Sequence, residues 1–486
     1  MLFNTPQYIF LFLPLALLGF WLLACWASQQ AASLWLALCS LFFYGYWDIH
    51  FVPLLLGSIA FNYSMGVAIA WARERGRSAP VLAVAVAANL LLLGIFKYTD
   101  FFLTVFNQLS GSRFPLLHMV LPLGISFFTF TQIAFLVDVH RGIAKEYSAI
   151  HYLLFVTYFP HLIAGPILYH KDMMPQFARA ETFVPQPRWV TMGLFLFAVG
   201  LFKKVILADT IAPFADVVFE MARQGGPVLY LEAWQGALAY TLQLYFDFSG
   251  YVDMAIGASL MFGIALPVNF NSPYQAINFT DFWQRWHITL SRFFREYVYI
   301  PLGGNRKGVH RKQLNILVVM LLSGLWHGAG WTFIVWGLMH AFFVIANNYW
   351  RVFREKCLGH DLETSSLPGR IFSIALTFFC LVFCWVVFRA DTLDAAWVIM
   401  RAMVSPDMSV FASSFEKYRV VTTWLAVMMA ISGLFPNATQ IARGTSRIGW
   451  QPNAFWGMAT VVMLTASAFQ MLYGENIIHA FLYFNF

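Results

Sequence analysis

Two histidines set in apolar sequence are the residues of this chain best suited to chemistry. The first closes Asp281-Phe282-Trp283-Gln284-Arg285-Trp286-His287, and the second sits in Leu325-Trp326-His327-Gly328-Ala329. From Ile316 to Leu338 the polar side chains are only Ser323, His327 and Thr332. An ionisable group in such a segment is costly in hydrocarbon, which makes it a functional candidate. A neutral imidazole there can take a proton from a hydroxyl that attacks an ester or thioester carbonyl. Gly328 is expected to leave space beside the ring, with Trp326 and Trp331 walling a pocket. The competing reading is a histidine hydrogen-bonded to a neighbouring helix.

Around His287 the pattern is basic and aromatic. At helical spacing Arg285, Arg292 and Arg295 share a broad face, and Trp283 and Trp286 lie three apart. That mix suits an interfacial helix with its cations toward phosphates or headgroups, or equally a topology anchor. The loop Tyr299–Gly308, followed by Arg311 and Lys312, lacks the nucleotide P-loop pattern. Its glycine amides and cations could hold a phosphate, or simply mark the cytoplasmic side.

Asp247 and Asp253 stand in an otherwise apolar region, where function and ion pairing with Lys or Arg are both open. His161, in Pro160–Pro166, fits a hydrogen bond at a helix break. There is no Gly-x-Ser-x-Gly elbow and no His-Glu-x-x-His pair, so serine-hydrolase and zinc mechanisms are unsupported and a catalytic metal is not indicated. The five cysteines read as small core or loop residues rather than a disulfide framework.

The elements that must position these groups follow from composition. Of 486 residues, 60% are hydrophobic and 11% charged, with mean hydropathy +0.66. Soluble domains carry roughly 25% charged residues, so the chain is predicted to be an integral membrane protein. Its length allows about ten to twelve spans of roughly 20 residues. The net charge of +7 reads as cytoplasmic Lys and Arg, not nucleic-acid affinity. Ile9–Ala27 is expected to be a retained span rather than a cleaved signal. Ala32–Tyr46 and Phe51–Ala70 follow as crossings, although Ala32–Tyr46 is short enough to be re-entrant. No Lys or Arg precedes the cluster Arg73, Arg75 and Arg77, which puts that cluster in the cytoplasm and the N-terminus outside. Further apolar runs are Pro80–Phe96, Met119–Val137, His151–Leu168, Val190–Leu207, Ala233–Phe246, Val252–Leu266, Ile316–Leu338, Trp336–Ala346, Ile371–Phe388, Val420–Phe435 and Ala454–Leu472. Broken helices at membrane depth need protein or water around them, so residues 119–338 are expected to form a protein-lined chamber. One all-helical membrane-embedded domain over 1–486 is the expected organisation, without internal repeats.

Several stretches together carry a resemblance. They are Leu121-Pro122-Leu123-Gly124-Ile125-Ser126-Phe127-Phe128, Phe159–Pro166, Gln243–Tyr251, Phe270-Asn271-Ser272-Pro273-Tyr274, Asp281–His287 and Trp326-His327-Gly328-Ala329. In these the chain resembles a membrane-bound O-acyltransferase of the bacterial branch that O-acetylates exported polysaccharides, including the alginate O-acetylation membrane subunit. The resemblance implies a helical bundle with broken or re-entrant helices around a funnel open to the cytoplasm, with its core at about 119–345. It implies that His327 is the catalytic histidine and that His287 matches the second position. Asn271, Trp283, Arg285, Trp286, Trp326, Asp247 and Ser249 are then candidates for holding donor or acceptor.

No bound cofactor is implied. Acetyl-CoA, or another acetyl thioester, would be the cytoplasmic donor substrate. The final acceptor would be an exported polysaccharide of alginate, peptidoglycan or cellulose type, outside the bacterial inner membrane. Because no such soluble domain is fused here, a periplasmic acetyltransferase of the SGNH type would be the partner. Two rivals stand beside this reading: D-alanyl transfer to teichoic acid by a related branch, and a proton-coupled glycan or lipid transporter with His327 as relay. A structural scaffold for an export complex is a further one.

Overall fold

Apolar chain without water must close its own backbone hydrogen bonds, and a helix does so within one segment. The computed structural model describes residues 1–144, 148–163, 165–359, 366–406, 419–474 and 481–482, and helices without strands make up its regular structure. Among the described residues, eight helices are long and apolar enough to cross a membrane. They are Tyr8–Trp26, Ile49–Glu74, Ser78–Ser110, Pro187–Arg223, Trp331–Lys356, Leu367–Arg389, Arg419–Arg443 and Ala454–Tyr473.

Several of the apolar runs do not fold as separate crossings. The helix in the run Met119–Val137 is shorter than a full crossing, at 16 residues from Ile125 to His140. The run His151–Leu168 breaks at Tyr158, ahead of Pro160, into Ala149–Thr157 and Phe159–Leu162. The runs Ala233–Phe246 and Val252–Leu266 belong to one 32-residue helix, Tyr230–Met261. Gly250 does not interrupt it, since one glycine costs a helix only about 1 kcal/mol against alanine.

The described residues cluster into two compact units, one of residues 1–201, 251–268 and 450–473 and the other of residues 202–250, 269–449 and 474–486. In the first, polar side chains pair with one another. The Asn62 and Asn89 amides exchange hydrogen bonds of 3.1 and 2.6 Å, and Gln132 Nε2 donates to Ser58 Oγ at 2.9 Å. His161 donates from Nε2 to the Phe155 carbonyl at 3.0 Å, the helix-break bond expected of it. Its aromatic core includes Phe3, Tyr8, Phe12, Phe43 and Phe159.

The second unit holds both candidate histidines. The run Ile316–Leu338, written above as one apolar segment, is instead the tip of a hairpin. Helix Val309–His327 ends, the chain bends between extended Gly328 and Gly330, and Trp331–Lys356 returns. Two glycines let the backbones touch, as small residues do where membrane helices pack closely. A β-carbon on Gly337 would lie 2.6 Å from the Met320 carbonyl oxygen, and one on Gly324 would overlap the Phe333 carbonyl.

An ion cluster occupies the same unit. Between Pro187–Phe202 and Asp209–Arg223 the chain takes a π turn, Lys203–Ala208. Lys204 is buried in it and pairs with Asp247 at 2.6 Å and Asp209 at 2.7 Å. Asp247 also accepts from the Leu482 amide at 3.1 Å.

Both features are testable by substitution. Gly324→Val should prevent the hairpin from closing and sharply reduce folded protein on size-exclusion in detergent; a wild-type profile would refute the contact. Lys204→Met strands two carboxylates and should cost about 3–5 kcal/mol. It should therefore lower the thermal midpoint markedly, while Lys204→Met with Asp209→Asn and Asp247→Asn recovers most of the loss. An unchanged midpoint in the single variant would show that the cluster does not hold the unit together.

Candidate active site

His287 is positioned by a short polar lock. The chain does not continue as one helix through this stretch, as the arginine spacing had implied. Phe279–Trp283 ends, His287 takes a left-handed conformation with φ +43°, and Ile288–Phe294 begins. A residue with a β-carbon held there costs about 1–3 kcal/mol, so its surroundings must fix it. Asn269 does so. Its Oδ1 accepts from the Thr289 amide at 3.1 Å and the Thr289 hydroxyl at 2.9 Å, and its carbonyl accepts from the Ile288 amide at 3.0 Å.

The same Oδ1 lies 3.3 Å from His287 Nδ1. Because a backbone N–H already identifies that atom as the acceptor, Nδ1 must carry the proton and donate it. In the neutral ring Nε2 then holds the lone pair. The ring is fully buried, and burial pulls its pKa from 6.5 down to about 3, so it stays neutral at physiological pH. Asn269 was not singled out from sequence; its distance along the chain hid a contact that only the left-handed turn creates.

His327 is the last residue of its helix and is 3% exposed. Its ring meets Trp326, Trp336 and Phe388 edge-on, with centroids 5.0, 5.0 and 5.2 Å away. Trp326 also packs against His287 at 5.9 Å, so one indole touches both candidate histidines. Phe248 closes on His287 from another side at 4.9 Å. Two details bear on the pocket expected here. Trp331 is half-exposed. The space beside Gly328 is taken by the Phe333 ring, which a β-carbon there would strike.

The remaining candidates divide into near and far. Trp283 lines a cavity of about 170 Å³ together with Ser291, Arg295, Tyr299, Ser323 and Val344. Ser323 stands one helical turn before His327, a spacing that sequence alone could have flagged. Its hydroxyl and the Trp283 N–H are buried and make no hydrogen bond among the described residues. Trp286, 1% exposed, stacks near Phe282 and Trp385 and supports the His287 turn as packing.

The polar candidates are occupied by structural bonds. Arg285 pairs with Asp281 at 2.7 Å, and Arg292 with Glu296 at 3.1 Å. Asn271 and Arg285 are tied through their backbones, with the Asn271 amide donating to the Arg285 carbonyl at 2.9 Å. The Asn271 side chain accepts from Asn437 and Gln440 at 3.2 and 3.1 Å. Ser249 accepts from Lys203 at 3.5 Å, and Asp247 belongs to the Lys204 cluster. Each of these side chains is engaged within the fold by these bonds.

Two buried imidazoles around a shared indole, one of them with its lone pair fixed on Nε2, are suited to moving a proton in apolar surroundings. Residues 126–388 match the membrane-bound O-acyltransferase family, MBOAT. A peptidoglycan O-acetyltransferase of Helicobacter pylori is 45% identical over 430 residues, covering 83% of this chain and 80% of the relative. A probable alginate O-acetylase AlgI of Pseudomonas aeruginosa is 40% identical over 411 residues, 83% of this chain and 75% of the relative. A teichoic acid D-alanyltransferase of Bacillus subtilis is 28% identical over 329 residues, 65% of this chain and 79% of the relative. The chain is a multi-pass membrane O-acyltransferase and belongs to the MBOAT family.

Proposed function

We propose that this protein is an O-acetyltransferase of the bacterial inner membrane, taking acetyl groups from acetyl-CoA for the O-acetylation of an exported polysaccharide. The observation that carries the reading is His327, buried at the tip of a glycine-closed hairpin beside an indole shared with His287. The names of the two relatives at 45% and 40% identity support acetyl as the group transferred and an envelope glycan as its destination.

In this reading His327 is the general base. It takes the proton of an acceptor hydroxyl as that oxygen bonds to the thioester carbonyl carbon. When the tetrahedral intermediate collapses, the carbon–sulfur bond breaks and the imidazolium returns its proton to the leaving thiolate. His287, whose lone pair is fixed on Nε2, is a second acceptor that can orient the hydroxyl. Trp283 and the cavity it lines would receive the donor's acyl end. A separate periplasmic acetyltransferase of the SGNH type is the proposed partner that completes transfer to the polymer. Asn271, Arg285, Asp247 and Ser249 act in this account through the fold, not on the substrate.

Membranes containing the protein should transfer label from radiolabelled acetyl-CoA and not from a D-alanyl carrier-protein thioester. Loss of a general base costs about 10²–10⁴-fold, so His327→Ala should lose transfer on that scale at equal expression. His287→Ala should retain more activity than His327→Ala, and Asn269→Ala should resemble His287→Ala. Equal labelling by wild type and His327→Ala would remove the assignment, and transfer of D-alanine instead would redirect it to the teichoic-acid reading.

A further inference from the structure

A third imidazole lies in the same unit, and neither the sequence motifs nor the chemistry above uses it. His340, on the return helix of the hairpin, is fully buried. Among the described residues neither of its ring nitrogens makes a hydrogen bond. Around it stand Trp336, Trp283 and Trp385, with ring centroids 4.5, 5.2 and 6.1 Å away. The indole N–H of each is also buried and without a partner among the described residues. Phe279 and Phe282 complete the enclosure at 5.5 and 6.1 Å.

Packing alone does not call for this composition. Each unmade buried hydrogen bond costs about 1–3 kcal/mol, and leucine or phenylalanine would fill the same volume without that penalty. Clustered orphan donors in a folded protein point to a guest that accepts hydrogen bonds. Three indoles can only donate, and a neutral imidazole adds one more N–H, so the guest they fit is an oxygen acceptor. The niche adjoins the groups assigned above. Trp336 packs against His327 as well as His340, and Trp283 also lines the cavity of about 170 Å³.

We propose that His340, with the indole N–H groups of Trp336, Trp385 and Trp283, forms the donor niche for the carbonyl oxygen of the acyl group being transferred. The inference rests on the acyl-transfer reading. As the acceptor oxygen bonds to the carbonyl carbon, the C=O π pair moves onto that oxygen, which becomes an oxyanion, while the acceptor's proton passes to His327. On collapse the pair returns, the carbon–sulfur bond breaks and the thiolate takes the proton back. His340 stays neutral throughout and donates an N–H to the oxyanion. Preformed donors in a water-poor site act where charge develops and need no reorganisation.

The test compares wild type, His327→Ala, His340→Leu, His340→Asn and Trp336→Phe in membranes, with labelled acetyl-CoA and a thermal-stability readout on each. Removing one such donor typically costs 10²–10³-fold in kcat. His340→Leu should therefore fall at least about 100-fold in kcat, with little change in KM and no loss of thermal midpoint. His340→Asn, which keeps an N–H, should recover part of the rate. Wild-type kcat in a folded His340→Leu would overturn the niche. If that variant does not fold, Trp336→Phe decides: it keeps a ring and removes one N–H, and an unchanged kcat would again overturn it. No transfer by wild type would sink the acyl-transfer reading and this inference with it, whereas active wild type with an unaffected His340→Leu sinks the niche alone.

Discussion

The close approach of two backbones at the hairpin Val309–Lys356 is the constraint on which the candidate site depends. With Gly324 against the Phe333 carbonyl and Gly337 against the Met320 carbonyl, the helices pack at a distance that larger side chains would forbid. In lipid there is little hydrophobic force to drive helices together, and van der Waals contact between small residues takes its place. That contact fixes where the first helix must stop and the second begin. His327 is consequently presented at a helix terminus, where its ring meets Trp336 of the return helix and Phe388 of Leu367–Arg389. Trp336, His340 and Ser323 fall in the same neighbourhood because they lie within a few turns of the same tip.

Buried polarity in the second unit is sorted by kind. Full charges are collected at Lys204, Asp209 and Asp247, where each ion has an opposite partner within 2.7 Å. Such pairing is what makes buried charge tolerable, since an isolated ion would carry a desolvation cost of several kcal/mol. The histidine region is built instead from imidazoles, indoles, a serine and an asparagine, with no acidic or Lys/Arg side chain in the contacts described above for His287, His327 and His340. A neutral site has little electrostatic cost when empty and responds strongly when a transition state introduces charge. Asp247, close in sequence to Ser249, falls on the charged side of this separation through its pair with Lys204.

Much of this was legible in the amino-acid sequence, and the failures have local causes. His327 stood out because one ionisable group in an apolar run is expensive, and that cost is independent of tertiary detail. The helix break directly after it was missed, because Gly328-Ala329-Gly330 carries no polar residue to interrupt the hydropathy. The arginine face around His287 was misjudged because periodicity assumes continuous helical dihedrals, and a left-handed φ at His287 lies outside that assumption. His340 lies inside the apolar run Trp336–Ala346 and was not singled out, although its i, i+4 relation to Trp336 places both on one helix face. For Asp247 the sequence left function and ion pairing open, and the choice needed the position of Lys204, 43 residues away in the chain.

Water is the competitor that such a site must defeat. A thioester reacts with any activated hydroxyl, and a general base activates water as readily as a sugar alcohol. Polar walls would admit water to the base, but rings cannot hold it in place through hydrogen bonds along their edges. In the proposed reaction the aromatic groups around His327 and His340 would contribute selectivity as well as packing, by leaving water few partners beside the base. The indole N–H groups are the exception, and they can only donate. In the proposed niche a bound water would find one acceptor, the second nitrogen of the neutral His340 ring, for its two hydrogens, whereas a carbonyl oxygen has none to satisfy. Three indole donors against that single acceptor would favour the acyl oxygen over water, which gives a physical reason for tryptophan to surround this histidine where tyrosine or serine would not serve.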